Sequence, residues 1–211
     1  MTLVTINDIK ENPIVAVIRH ATPESIVSIV GALEAGGIRS IELTAETKGV
    51  TQMIEKVDAE FDDRILIGAG TVLDPETAQS VIQAGADFVV SPTLNVDTIK
   101  MTKRYGKLAI PGAFTPTEIL QAYEHGADIV KVFPASSVGP SFIKNVQGPL
   151  PQIPLMVTGG ISQDNMNDYL AKGSIAVGIG SALVDPRKLN SEQDYEKLTE
   201  QARLFTNQIN G

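Results

Sequence analysis

"HGADIVKVFPASS", residues 125–137, compresses three structural signals into one short stretch. Gly126 closes a helix-like segment, Ile129–Phe133 reads as a brief buried strand, and Pro134 stops it. The same joint recurs as "AGGIRSIEL" (35–43), "AGADFVV" (84–90) and "KGSIAVG" (172–178). Each places a glycine where a helix must end in the left-handed conformation, and a β-branched run follows at once.

Working outward from these joints, apolar runs lie at Ile14–Ile18, Ile38–Leu43, Ile65–Ile67, Asp87–Val90, Leu108–Ile110, Ile129–Phe133, Leu155–Val157 and Ile175–Val177. Their starts are roughly 20 to 27 residues apart, room for one helix and two short loops. The intervening segments carry helix signals. "TPESIVSIVGALEAGG" (22–37) has Thr22 as a cap, Pro23 in the first turn, and Ile26, Ile29, Val30 and Leu33 on one face. "TPTEILQAYEHGA" (115–127) repeats the device with Thr115, Pro116 and Glu118. Thr5–Glu11 is expected to form a short helix that plugs the bottom, and Ser191–Gln208 the last helix. Eight such units without a break in composition predict a single (β/α)8 TIM barrel spanning residues 1–211. A doubly wound open sheet shares the alternation and is the alternative.

Composition narrows the function. A net charge of −8 argues against a nucleic-acid partner, yet leaves room for a phosphorylated small molecule held by a local pocket. The absence of cysteine excludes disulfides, thiolate nucleophiles and thiolate metal sites. No signal pattern opens the chain and no apolar run approaches the ~20 residues of a membrane helix, so a cytoplasmic location away from membranes is expected. The two histidines, His20 and His125, make no metal constellation, and His125 suits a helix C-terminus. No metal and no cofactor are expected. A carboxylate-only Mg²⁺ site on Glu42 and Glu46 is the alternative.

In such barrels chemistry collects at the C-terminal strand ends. In chain order these ends carry Arg19 and His20, Glu42 and Thr44, "GAGT" (68–71), "SPT" (91–93), Pro111 and Gly112, Lys131, "TGG" (158–160) and "GIGS" (178–181). Alternation along "IRSIELT" puts Ser40, Glu42 and Thr44 on one face and apolar Ile41 and Leu43 on the other. Alternation along "DIVKVF" groups Ile129, Lys131 and Phe133 against Val130 and Val132. If the apolar faces meet the helices, Glu42 and Lys131 converge inside the barrel. Burial penalises an ammonium and favours the free amine that attacks a carbonyl, while a facing carboxylate serves as acid and base. The plainer reading is a structural ion pair. The glycine loops after the seventh and eighth strands, with Gly159, Gly160, Gly180 and Ser181, lie where barrels commonly bind phosphate. "GAGT" is expected to let substrate approach closely, with Thr71 as a hydrogen-bond donor.

With these residues assembled, the chain resembles the KDPG/KHG aldolase family, the 2-dehydro-3-deoxy-phosphogluconate and 4-hydroxy-2-oxoglutarate aldolases. The resemblance runs through "VAVIR" (15–19), "GGIRSIELT" (36–44), "GAGTVL" (68–73), "SP" (91–92), "IPGAFTPTE" (110–118), "KVFPAS" (131–136), "GPSFIKNVQGPLP" (139–151), "TGGIS" (158–162) and "GIGSALV" (178–184). It implies a metal-free class I aldolase, a lyase, normally a homotrimer, acting on a phosphorylated keto acid. Lys131 matches the Schiff-base lysine and Glu42 the general acid/base. Thr71, Pro92 and Phe133 match the pyruvyl site, and Gly159, Gly160 and Ser181 the phosphate site. Glu46 stands where the family often has arginine, Thr93 where it has glycine and Val157 where it has proline. Either Arg19 on the neighbouring strand is expected to supply the missing charge, or the substrate differs. The implied substrate is 2-dehydro-3-deoxy-6-phosphogluconate, with the phosphogalactonate analogue or 4-hydroxy-2-oxoglutarate as alternatives. Rival readings are a sugar-phosphate isomerase or epimerase using Glu42 as base, and a non-catalytic sensor of a phosphorylated metabolite.

Overall fold

The computed structural model describes residues 4–210. Helix α1 (Ile6–Glu11) precedes β1 (Ile14–Ile18), α2 (Ile26–Ala35), β2 (Ser40–Thr44), α3 (Val50–Phe61) and β3 (Leu66–Gly70). Then come α4 (Pro75–Gln83), β4 (Phe88–Val90), α5 (Val96–Arg104), β5 (Leu108–Ile110), β6 (Gly112–Ala113) and α6 (Pro116–Glu124). The chain finishes with β7 (Val130–Val132), α7 (Pro140–Gln147), β8 (Leu155–Thr158), α8 (Met166–Ala171), β9 (Ser174–Ile179) and α9 (Glu192–Asn210).

All pairings are parallel, in the order β5-β4-β3-β2-β1-β9-β8-β7-β6. The two ends of that order are halves of one strand. Pro111 has no N–H to give the ladder and splits the fifth strand into β5 and β6. The ring still closes across it: Asp128 N–H donates to Ala109 O at 3.0 Å and Lys131 N–H to Pro111 O at 2.9 Å. An open doubly wound sheet would leave two free edges, so the closed barrel is the fold.

The helix ends follow their local chemistry. Gly37, Gly85, Gly126 and Gly173, one at each predicted joint, have φ between 91° and 117°. Thr115 accepts from the Glu118 N–H while Glu118 accepts from the Thr115 N–H, a complete capping box for α6. Thr22 departs from expectation, because α2 starts at Ile26 with Ser25 as its N-cap. The Thr22 and Ser25 hydroxyls each accept from the other's backbone N–H, and this closes a separate turn ahead of the helix.

The core has two layers. Strand residues such as Ile41, Leu43, Val130 and Val132 pack outward with the helices. Val15, Phe88, Val90, Leu108, Ile110, Ile129, Met156 and Ala176 fill the barrel itself, and Ile9 of α1 plugs it from below. Among the described residues, no helix is long and apolar enough to cross a membrane.

Candidate active site

The split between the layers fixes where the two reactive side chains point. Val130 and Val132 belong to the outer layer and Ile129 to the barrel interior, so Lys131 projects inward. On β2, Ile41 and Leu43 face the helices, so Glu42 also projects inward. Lys131 Nζ lies 4.0 Å from Glu42 Oε1, with the side chains only 4% and 0% exposed. That separation is too long for a hydrogen bond and short enough for charge attraction. Lys131 Nζ also stands 5.2 Å from the centroid of the Phe133 ring.

Both Glu42 oxygens are buried without a hydrogen-bond partner in the protein, as are Ser40 Oγ and Thr158 Oγ1. A buried carboxylate of this kind is costly unless it has work to do with a ligand or its amine neighbour. The third strand gives it room. A Cβ on Gly70 would strike the Glu42 carboxylate, and one on Gly68 would strike the Phe88 ring. This corrects the reading of "GAGT". The bare faces of these two glycines accommodate side chains of the protein itself rather than a closely approaching substrate. Thr71 follows with φ 57°, a left-handed conformation that turns the chain sharply at the strand end.

Pro92 and Phe133 line a common cleft of about 270 Å³ together with Thr93, Leu94, Gly112 and Phe114. Gly112 lies so close to the Pro92 backbone that no Cβ fits between them. Next to this cleft, Gly159 and Gly160 have φ 96° and 73°, and a Cβ on Gly159 would come within 3.3 Å of Phe133 and Pro134. A methyl on Gly160 would come within 2.5 Å of Ser136 Cβ, so this loop is packed on the turn that follows β7. Tyr169 Oη donates to Ala135 O at 3.1 Å and steadies that turn; burial pushes its phenol above the ordinary tyrosine range, so it stays a donor. Gly180 O accepts from the N–H groups of Leu183 and Val184, and Ser181 lies exposed beside it. Because β8 pairs with β9, the two glycine loops leave the barrel as neighbours.

Arg19 is not free. Its Nη1 donates to Glu46 Oε1 at 2.6 Å. Glu46 is thus turned to a cation rather than set beside Glu42 as a metal ligand. Among the described residues no group of three or more His, Asp or Glu side chains is placed to hold a metal ion. Sequence reasoning grouped Ser40 with Glu42 and placed Thr158 at a strand end, but gave neither a role in the site. Both share the strand parity of residues it did select, and that was the available signal.

The model of the KDPG and KHG aldolase family matches residues 5–201. The 2-dehydro-3-deoxy-6-phosphogalactonate aldolase of Escherichia coli K12 is 32% identical over 92% of each chain. The KDPG aldolase of Legionella pneumophila, solved with pyruvate captured as a covalent carbinolamine intermediate, superposes with a TM-score of 0.84. It is 30% identical and covers 91% of this chain and 93% of its own. A cube-shaped protein cage designed by fusing symmetric oligomeric domains matches with a TM-score of 0.87 at 31% identity, over 94% of this chain and 72% of that one.

Proposed function

Because the chain belongs to the KDPG and KHG aldolase family, we propose that it cleaves a 2-keto-3-deoxy-6-phospho sugar acid through a Schiff base on Lys131. The observation that carries this reading is the buried Lys131 amine set 4.0 Å from the Glu42 carboxylate at the C-terminal end of a closed barrel.

The chemistry runs as follows. The free amine of Lys131 adds to the C2 ketone, and Glu42 delivers a proton to the carbinolamine oxygen, which leaves as water. The resulting iminium is the electron sink. Loss of the C4 hydroxyl proton forms the aldehyde, the C3–C4 bond breaks, and its electron pair becomes the enamine on Lys131. Glyceraldehyde 3-phosphate departs, the enamine takes a proton at C3, and water hydrolyses the iminium to free pyruvate and the amine. Thr71, Pro92 and Phe133 form the pyruvyl side of the pocket. Gly159, Gly160, Gly180 and Ser181 take the phosphoryl group through backbone N–H and hydroxyl donors. Gluconate, galactonate and 4-hydroxy-2-oxoglutarate forms are the substrate panel, with the phosphogluconate form as the favoured member. The working assembly is a homotrimer, which light scattering checks.

Borohydride reduction in the presence of pyruvate tests the reading. A covalent adduct is expected on Lys131 and absent in Lys131→Ala. A protein that gains no adduct, or gains one on another lysine, overturns the Schiff-base assignment.

A further inference from the structure

Arg19 and Glu46 lie outside the proton chemistry assigned to Lys131 and Glu42, yet they meet on the same rim. On β1, Val15 belongs to the barrel interior, and alternation puts Val17 and Arg19 on that same face. His20, the next residue, has φ 61°, a left-handed backbone conformation uncommon outside glycine, and it turns the chain off the strand directly after Arg19. On one flank β1 pairs with β2 through Ile18 and Leu43, which places the Glu46 loop beside Arg19. On the other flank β1 pairs with β9 through Ala16 and Ile179, so the Gly180–Ser181 loop leaves the barrel on that side.

The strand end that carries Arg19 therefore lies between the Glu46 loop on one side and the Gly180–Ser181 loop on the other. In this structure the guanidinium is on the Glu46 carboxylate, at 2.6 Å, with the two side chains 46% and 48% exposed. Neighbouring strands are only about 4.8 Å apart, so rotation about the arginine's own side-chain bonds carries it from one flank to the other without moving the backbone. Exposed pairs of this kind are weak, and an incoming anion can displace one. A carboxylate left beside a bound anion repels it.

We propose that Glu46 is a positioning residue, an internal counter-ion that competes with an anionic oxygen group of the substrate for Arg19. This rests on the aldolase reading above. In the free enzyme the guanidinium sits on Glu46, masked from stray anions. Substrate binding exchanges Glu46 for the phosphoryl or carboxylate oxygens, and after cleavage Glu46 reclaims Arg19 and favours release of the charged product.

The test is steady-state cleavage of the phosphorylated keto acid by Glu46→Gln, Arg19→Gln and the double variant. Glu46→Gln is expected to lower KM roughly three- to tenfold at low ionic strength, with kcat within about twofold and the gain shrinking as salt is raised. Arg19→Gln raises KM, and adding Glu46→Gln to it changes nothing more. Two side measurements identify the group exchanged. Stronger inhibition by inorganic phosphate in Glu46→Gln marks the phosphoryl end, and tighter half-saturation by pyruvate in borohydride trapping marks the carboxylate end. Either supports the exchange. A KM that rises in Glu46→Gln, or that falls equally without Arg19, overturns it. If the wild-type protein forms no Lys131 adduct, the aldolase reading itself fails; if the adduct forms and KM does not move, only the exchange fails.

Discussion

Replacing Gly70 by alanine tests the placement of Glu42 while leaving both reactive residues unsubstituted. An added Cβ would sit 2.6 Å from Glu42 Cγ and closer still to its carboxylate, where ordinary contact is 3.4–4 Å. The carboxylate must then retreat by more than 1 Å, and a misplacement of even about 1 Å in a proton-transfer group is worth about 10²-fold in rate. The obstructing atoms are the far end of a side chain, so the backbone is not forced to move. Local strain of about 1–3 kcal/mol is partly offset by the better strand conformation of alanine. The variant should therefore stay folded, with a urea midpoint near that of the wild type. The assay is initial-rate cleavage with pyruvate detected by lactate dehydrogenase, alongside the endpoint of borohydride trapping. The expected result is a kcat about 10²-fold lower with full adduct at the endpoint, because Lys131 is undisturbed. A folded variant with kcat within about threefold of wild type would refute the claim that the observed position of Glu42 is the catalytic one.

Further expectations concern the other parts of the molecule. Gly160→Ala forces a methyl against Ser136 at a residue with φ 73°, so KM for the phosphorylated substrate should rise at least tenfold while pyruvate trapping is unchanged; equal loss in both assays contradicts a phosphate role for that loop. Ser40 is fully buried beside its apolar register partners Val15 and Leu66, and its hydroxyl has no partner in the protein. Ser40→Ala should add about 1 kcal/mol of stability by urea denaturation, and a lowered midpoint would mean the hydroxyl is bonded after all. Burial, and then the charge of Asp87, hold the Asp58 carboxyl above its ordinary range, so the folded protein favours protonated Asp58. That contribution is present at acid pH and lost as pH rises through the folded value. Asp58→Asn should accordingly raise the denaturation midpoint at pH 7, with the gain fading toward pH 3; a gain that grows in acid would reverse the sign of the argument.

The sequence by itself determined whatever depends on neighbours along the chain. Glycines at 37, 85, 126 and 173 end helices because only glycine takes positive φ freely, and alternation along β2 and β7 assigns Glu42 and Lys131 to the interior because a strand repeats every two residues. Tertiary structure decided the contacts made across the barrel. Closure through a fifth strand broken at Pro111, the 4.0 Å approach of Lys131 to Glu42, the use of Gly70 to house that carboxylate, and the capture of Arg19 by Glu46 all depend on strand stagger and side-chain rotamers. Those follow from how eight strands pack into one ring, and no stretch of sequence carries that information locally.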